Sequence, residues 1–134
     1  MAAQTPPPVL IVDDDADIRE TLQVLLESEG YPAAVAATSA DALAHLHAAT
    51  SRHIVLLDYL MPGANGSSLL LAVEQEATLR RHCYLLMTAS PTTRYPPEDQ
   101  RLITAVCLDI LYKPFELDAL LSAVAAAAAQ LPRG

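Results

Sequence analysis

Basic residues are scarce in this chain of 134 residues: seven arginines and one lysine stand against sixteen acids, for a net charge of −8. Such a surface repels phosphate backbones and anionic lipid heads, so direct nucleic-acid or membrane binding by this domain is not expected. Cysteine is sparse as well. Cys83 and Cys107 lie far apart with no Cys-x-x-Cys or Cys/His spacing, which removes zinc and dithiol chemistry and leaves both as small core hydrophobes. Long apolar runs are missing too, since Val9–Val12, Ile54–Leu57 and Leu69–Val73 all fall far short of a bilayer span. No base precedes Arg19 and the first apolar run ends in three acids, the wrong pattern for a secretory leader, so a cytoplasmic location is expected. What the chain does have is apolar bulk: 52% apolar against 18% charged residues supplies one packed core and excludes disorder as the main state.

Residues 1–8, with Pro6, Pro7 and Pro8 in a row, read as an extended lead-in, residues 9–131 as one domain and residues 132–134 as a tail. Val9–Val12 and Ile54–Leu57 are aliphatic runs without alternation, the pattern of strands covered on both faces in a parallel sheet. Tyr84–Met87 and Leu108–Tyr112 continue the series, and Tyr31–Ala36 is a weaker strand expected at an edge. Between them lie helical patterns. The first is capped by Asp15 and closed by Gly30, the second is capped by Ser39, and the third begins near Ser67. A short fourth, Glu98–Val106, follows the proline-rich segment 90–97, and a fifth, rich in Ala, runs from Leu117 toward Leu131. Strand and helix thus alternate five times, which predicts an α/β fold with a parallel sheet between two helical layers.

In such sheets ligands bind beyond the carboxyl ends of the strands. There the first strand ends in Asp13 and Asp14, the third in Asp58, the fourth in Thr88 and the fifth in Lys113. Singly, each has a plain reading as a helix cap, a turn residue or a solvated cation. Together they do not, because caps and turns give no reason to gather three carboxylates, a hydroxyl and the only lysine at one rim. Clustered carboxylates must protonate or collect cations. A set of oxygen ligands points to a hard divalent ion, Mg²⁺, which keeps room in its shell for water and phosphate oxygens. A carboxylate oxygen of Asp58 can then attack phosphorus to form an aspartyl phosphate, with Lys113 and Thr88 serving the remaining phosphoryl oxygens.

Val9–Asp15, Ile54–Gly63 with Asp58 at its centre, Met87-Thr88-Ala89 and Tyr112-Lys113-Pro114-Phe115 together resemble the bacterial two-component response-regulator receiver domain, over about Val9 to Leu131. The resemblance implies a flavodoxin-like (βα)5 fold with strand order 2-1-3-4-5. It implies Mg²⁺-dependent transfer of phosphate from the phosphohistidine of a sensor histidine kinase or phosphotransfer protein, and slow self-dephosphorylation. Turnover of any other substrate is not expected. By position Asp58 is the acceptor, Asp13, Asp14 and Asp58 hold the metal with the backbone carbonyl of Leu60, Thr88 is the switch hydroxyl and Lys113 contacts the phosphate. Output would pass to a protein effector or a fused output domain, and the fourth and fifth helices offer a surface for a second copy.

Two features depart from the family pattern. The aromatic ring that usually stands three residues before the lysine is replaced by Ile110, and Tyr112, on the same side of the strand by alternation, is a candidate to stand in for it. The stretch from Thr88 to Lys113 is also longer and richer in proline. These features favour one alternative, a phosphorylation-independent interaction module on the same fold. An aspartyl phosphohydrolase is disfavoured because Leu60 stands where its general acid would be. A flavin carrier is disfavoured because three aspartates after the first strand would repel its phosphate. His45, His47, His53 and His82 are scattered without ligand spacing, so no metal or phosphohistidine role is expected of them.

Overall fold

The structure is a computed structural model and describes residues 6–59 and 66–131. Its strands are β1 (Val9–Val12), β2 (Ala33–Ala36), β3 (Ile54–Asp58), β4 (Cys83–Thr88) and β5 (Cys107–Tyr112). They form one parallel sheet in the order β2-β1-β3-β4-β5. The helices are α1 (Ala16–Ser28), α2 (Ser39–Ala48), α3 (Gly66–Gln75), α4 (Ala77–Arg80), α5 (Pro97–Val106) and α6 (Leu117–Gln130). The flavodoxin-like order expected from the sequence is the order observed, with the weak strand β2 at an edge.

The aliphatic runs explain the layering. Every residue of β1 and β3 is buried, so alternate side chains feed opposite faces of the sheet. Leu10, Val12, Val55, Leu57 and Leu86 pack on one face against residues of α2, α3 and α5. Val9, Ile11, Ile54, Leu56 and Leu85 pack on the other against α1 and α6. Each fully buried Leu or Ile adds about 1.5–3 kcal/mol of transfer free energy, which anchors the strand ends where the polar residues emerge.

Local chemistry sets the helix ends. The Asp15 carboxylate accepts from the backbone N–H of Asp17 at 2.9 Å and of Ile18 at 3.3 Å, so α1 starts where the acidic run demands. Gly30, at φ +92°, turns the chain out of α1 in a conformation that L side chains avoid. At α2 the cap is Thr38 rather than Ser39: the Thr38 hydroxyl accepts from Asp41 N–H, while Ser39 is the first helical residue and is buried. Six helices are present among the described residues rather than five. The extra one is the single turn α4, held by the buried Tyr84 hydroxyl, which donates to the Leu79 carbonyl at 2.7 Å. The fourth and fifth helices of the sequence reading are therefore α5 and α6. No helix among the described residues is long and apolar enough to cross a membrane.

Candidate functional site

The carboxyl ends of β1, β3 and β5 bring Asp13, Asp14, Asp58 and Lys113 together, and Thr88 stands at the carboxyl end of β4 between them in the sheet. Asp13 leaves β1 with 1% of its surface exposed, because its N–H donates to the Ala36 carbonyl and its carboxylate accepts from Asp15 N–H at 3.0 Å. Arg19, one turn into α1, donates to the Asp13 carbonyl at 2.8 Å and fixes the bend between strand and helix. Asp14 faces solvent and Asp58, the last residue of β3, is buried. The three carboxylates offer ligand atoms that all lie within 4.8 Å of one another.

Lys113 completes the cluster. Its N–H donates to the Thr88 carbonyl at 2.7 Å, extending the ladder between β4 and β5 by one residue, and a cis peptide bond joins it to Pro114. Its ammonium lies 3.4 Å from Asp13 Oδ2 and 3.4 Å from Asp58 Oδ1. One amine against three carboxylates leaves the site with an excess of negative charge, two of the acids being nearly desolvated, which favours a further cation. The donors are all oxygen. An octahedral Mg²⁺ shell with bonds of about 2.1 Å spans roughly 4 Å from ligand to opposite ligand, close to the spacing found here. The residues present therefore fit a hard divalent ion. Leu60, the expected carbonyl ligand, lies outside the described residues, as do residues 1–5 of the lead-in and the tail 132–134.

Thr88 ends β4 and is 1% exposed. Its hydroxyl accepts from Ser90 N–H at 3.2 Å and is hydrogen-bonded to the hydroxyl of Tyr95. The Tyr95 ring stacks on Tyr59, with centroids 3.8 Å apart and planes 10° from parallel. The Tyr59 hydroxyl in turn donates to the Asp99 carboxylate in the first turn of α5. Burial first, and then that carboxylate, raise the pKa of the Tyr59 hydroxyl well above the usual phenol range. Ile110 is half-buried on the face of the sheet that holds Tyr59 and Tyr95, whereas Tyr112 is 49% exposed.

Neither Tyr59 nor Tyr95 was singled out by sequence as a partner of Thr88. The available signal was that Tyr95 is the only aromatic residue between Thr88 and Tyr112. The histidines are also less scattered than their spacing suggests. His45, His53 and His82 form a row at the amino end of the sheet, far along the strands from the carboxylates, with Nε2 of His45 and of His53 3.2 Å apart.

A family profile described as "Response regulator receiver domain" matches residues 9–125. The transcriptional regulatory protein FixJ of Azorhizobium caulinodans is 35% identical over 119 residues, covering 89% of this chain and 54% of its own. Protein PetR of Rhodobacter capsulatus is 34% identical over 132 residues, covering 98% and 53%. This chain thus spans about half the length of the curated relatives it matches. Among solved structures, chemotaxis protein CheY4 of Vibrio cholerae aligns with a TM-score of 0.77 at 28% identity, over 91% of this chain and 98% of that one. A putative response regulator of Chloroflexus aurantiacus aligns with a TM-score of 0.78 at 29% identity, over 93% and 99%. By fold, by the order of its strand-end residues and by these matches, the chain belongs to the response regulator receiver domain family.

Proposed function

We propose that Asp58 accepts a phosphoryl group from the phosphohistidine of a sensor histidine kinase or phosphotransfer protein, and that the modified domain controls a protein effector or a fused output domain. An Asp58 carboxylate oxygen attacks phosphorus in line, the nitrogen–phosphorus bond breaks, and the donor imidazole leaves with its electron pair. Asp13, Asp14 and Asp58 would hold Mg²⁺ together with the Leu60 carbonyl, and the ion, when bound, supplies positive charge to the phosphoryl oxygens. Lys113 gives a second positive charge beside the acceptor, and Thr88 offers a hydroxyl donor. An apolar groove of about 750 Å³, lined by Ile18, Leu22, Leu25, Pro114 and Phe115, opens beside Lys113 and gives a partner protein a surface to approach the acceptor.

The observation that carries this reading is the position of Lys113, 3.4 Å from both Asp13 and Asp58 at the rim where the three carboxylates converge. The domain is proposed to promote its own phosphorylation and dephosphorylation, and to transform no other substrate. Several of the matched relatives bear names of transcriptional or DNA-binding regulators, but the charge of −8 argues that this domain itself does not contact DNA.

Incubation with Mg²⁺ and acetyl phosphate, followed by intact mass, tests the proposal. One hydroxylamine-labile phosphoryl group is expected on the native chain and none on Asp58→Asn or in EDTA. Equal labelling of Asp58→Asn would move the acceptor elsewhere, and no labelling of the native chain would favour the phosphorylation-independent module.

A further inference from the structure

Thr88 can donate to a phosphoryl oxygen only if its single hydroxyl hydrogen is free to do so. A hydroxyl has one hydrogen and two lone pairs. One lone pair of Thr88 Oγ1 is taken by Ser90 N–H at 3.2 Å. The other atom against it is the Tyr95 hydroxyl. A phenol, whose oxygen lends electron density to the ring, is a better donor and a poorer acceptor than an aliphatic alcohol, so the donor role falls to Tyr95 and the acceptor role to Thr88. The alternative acceptor for the Tyr95 hydrogen, the Ser90 carbonyl, is at 3.5 Å. With both lone pairs filled, the Thr88 hydrogen has only that same carbonyl as acceptor within the segment, at 3.4 Å, a long contact that a phosphoryl oxygen would readily replace.

From this valence count we infer that Tyr95 is a positioning residue for the phosphorylated state: it fixes the Thr88 hydroxyl as a donor aimed at the phosphoryl group on Asp58. The phenol is itself held. Its ring is buried against Tyr59, whose hydroxyl is tied to Asp99, and the Tyr95 carbonyl accepts from the Gln100 side chain at 2.8 Å. Tyr95 thereby links the acceptor rim to the first turn of α5. Ile110 occupies the position of the family's usual ring and has no hydroxyl to offer, and Tyr112 is half in solvent. The inference rests on phosphoryl transfer to Asp58 as proposed above and adds the residue that prepares Thr88 for it.

A double-mutant cycle tests it, with beryllofluoride as the phosphoryl mimic in saturating Mg²⁺ and affinity read by ¹⁹F NMR or calorimetry. Tyr95→Phe keeps the ring and its stack and removes only the hydroxyl. It should weaken beryllofluoride binding about tenfold while leaving Mg²⁺ affinity as in the native chain. Thr88→Ala should lose at least as much, and the Tyr95→Phe/Thr88→Ala chain should be no weaker than Thr88→Ala alone. Tyr112→Phe should bind as the native chain does. Native affinity in Tyr95→Phe, or penalties that multiply in the double variant, would overturn the role given to Tyr95 and leave phosphoryl transfer to Asp58 intact. A native chain that binds no beryllofluoride in Mg²⁺ would take down both.

Discussion

Replacing Asp14 with Asn should stabilise the metal-free domain and abolish its response to Mg²⁺, two effects of opposite sign from one atom-for-atom change. Carboxylate oxygens of Asp13, Asp14 and Asp58 lie within 4.8 Å of one another. In water-like screening, two unit charges at that distance repel by about 0.9 kcal/mol, and water-like screening suits Asp14, whose side chain is exposed. Neutralising Asp14 removes two such pairs, about 2 kcal/mol in pure water. Salt and the lost longer-range pull of Lys113 reduce this to about 1 kcal/mol. Lys113 keeps its contacts with Asp13 and Asp58, so the substitution opens no ion pair.

Mg²⁺ acts the other way. An ion at ten times its dissociation constant stabilises a folded chain by about 1.4 kcal/mol if it binds only that state. In urea unfolding, the Asp14→Asn chain should therefore be the more stable in EDTA, with the native chain drawing level or ahead as Mg²⁺ is added. A variant that is less stable in EDTA would show that the three carboxylates do not repel one another. A Mg²⁺ increment equal to that of the native chain would show that Asp14 is not a ligand.

Two further predictions concern the opposite end of the sheet. His82 is 4% exposed and its Nδ1 accepts from His53 N–H, and burial first, then the charge of Arg81, push its pKa down to about 4. The unfolded value is about 6.5, so the unfolded chain binds the extra proton between pH 6.5 and 4. The contribution of His82 is complete above pH 6.5 and is lost as the pH falls, by about 2 kcal/mol at pH 5. His82→Asn should flatten the fall in unfolding free energy between pH 7.5 and 5 by about that amount, and an unchanged slope would refute the assignment. Tyr84→Phe removes the buried donor to the Leu79 carbonyl and should cost about 1–3 kcal/mol in urea unfolding, with lost amide protection in residues 77–80 by hydrogen exchange. Full stability with intact protection would mean that α4 does not depend on that bond.

The carboxylate rim was legible because each of its residues stands at the carboxyl end of a strand pattern, and a parallel sheet carries all such ends to one edge. Asp13, Asp58, Thr88 and Lys113 needed no knowledge of loop paths, only the alternation of strand and helix. The same logic fails where position is set by an irregular segment. Tyr95 reaches Thr88 because the chain between β4 and α5 folds back through a short 3₁₀ turn, Thr92–Arg94, and prolines fix the flanking residues without revealing where the ring goes. Periodicity, which located every strand, is silent about such a turn.

The histidine row failed to appear in the sequence for the converse reason. His53 and His82 each stand just before a strand, 29 residues apart, and parallel pairing of β3 with β4 brings those strand starts side by side as surely as it gathers the carboxylates at the other end. Attention to strand ends alone therefore finds half of what register places together. In this fold both ends of each strand are informative: the carboxyl ends gather charge that calls for a cation, and the amino ends gather buried imidazoles that resist one. The acid sensitivity assigned to His82 follows from the register of β3 with β4, and the Mg²⁺ response assigned to Asp14 from the register of β1 with β3. Both therefore depend on β3, and a one-residue slip of that strand against both neighbours would abolish both.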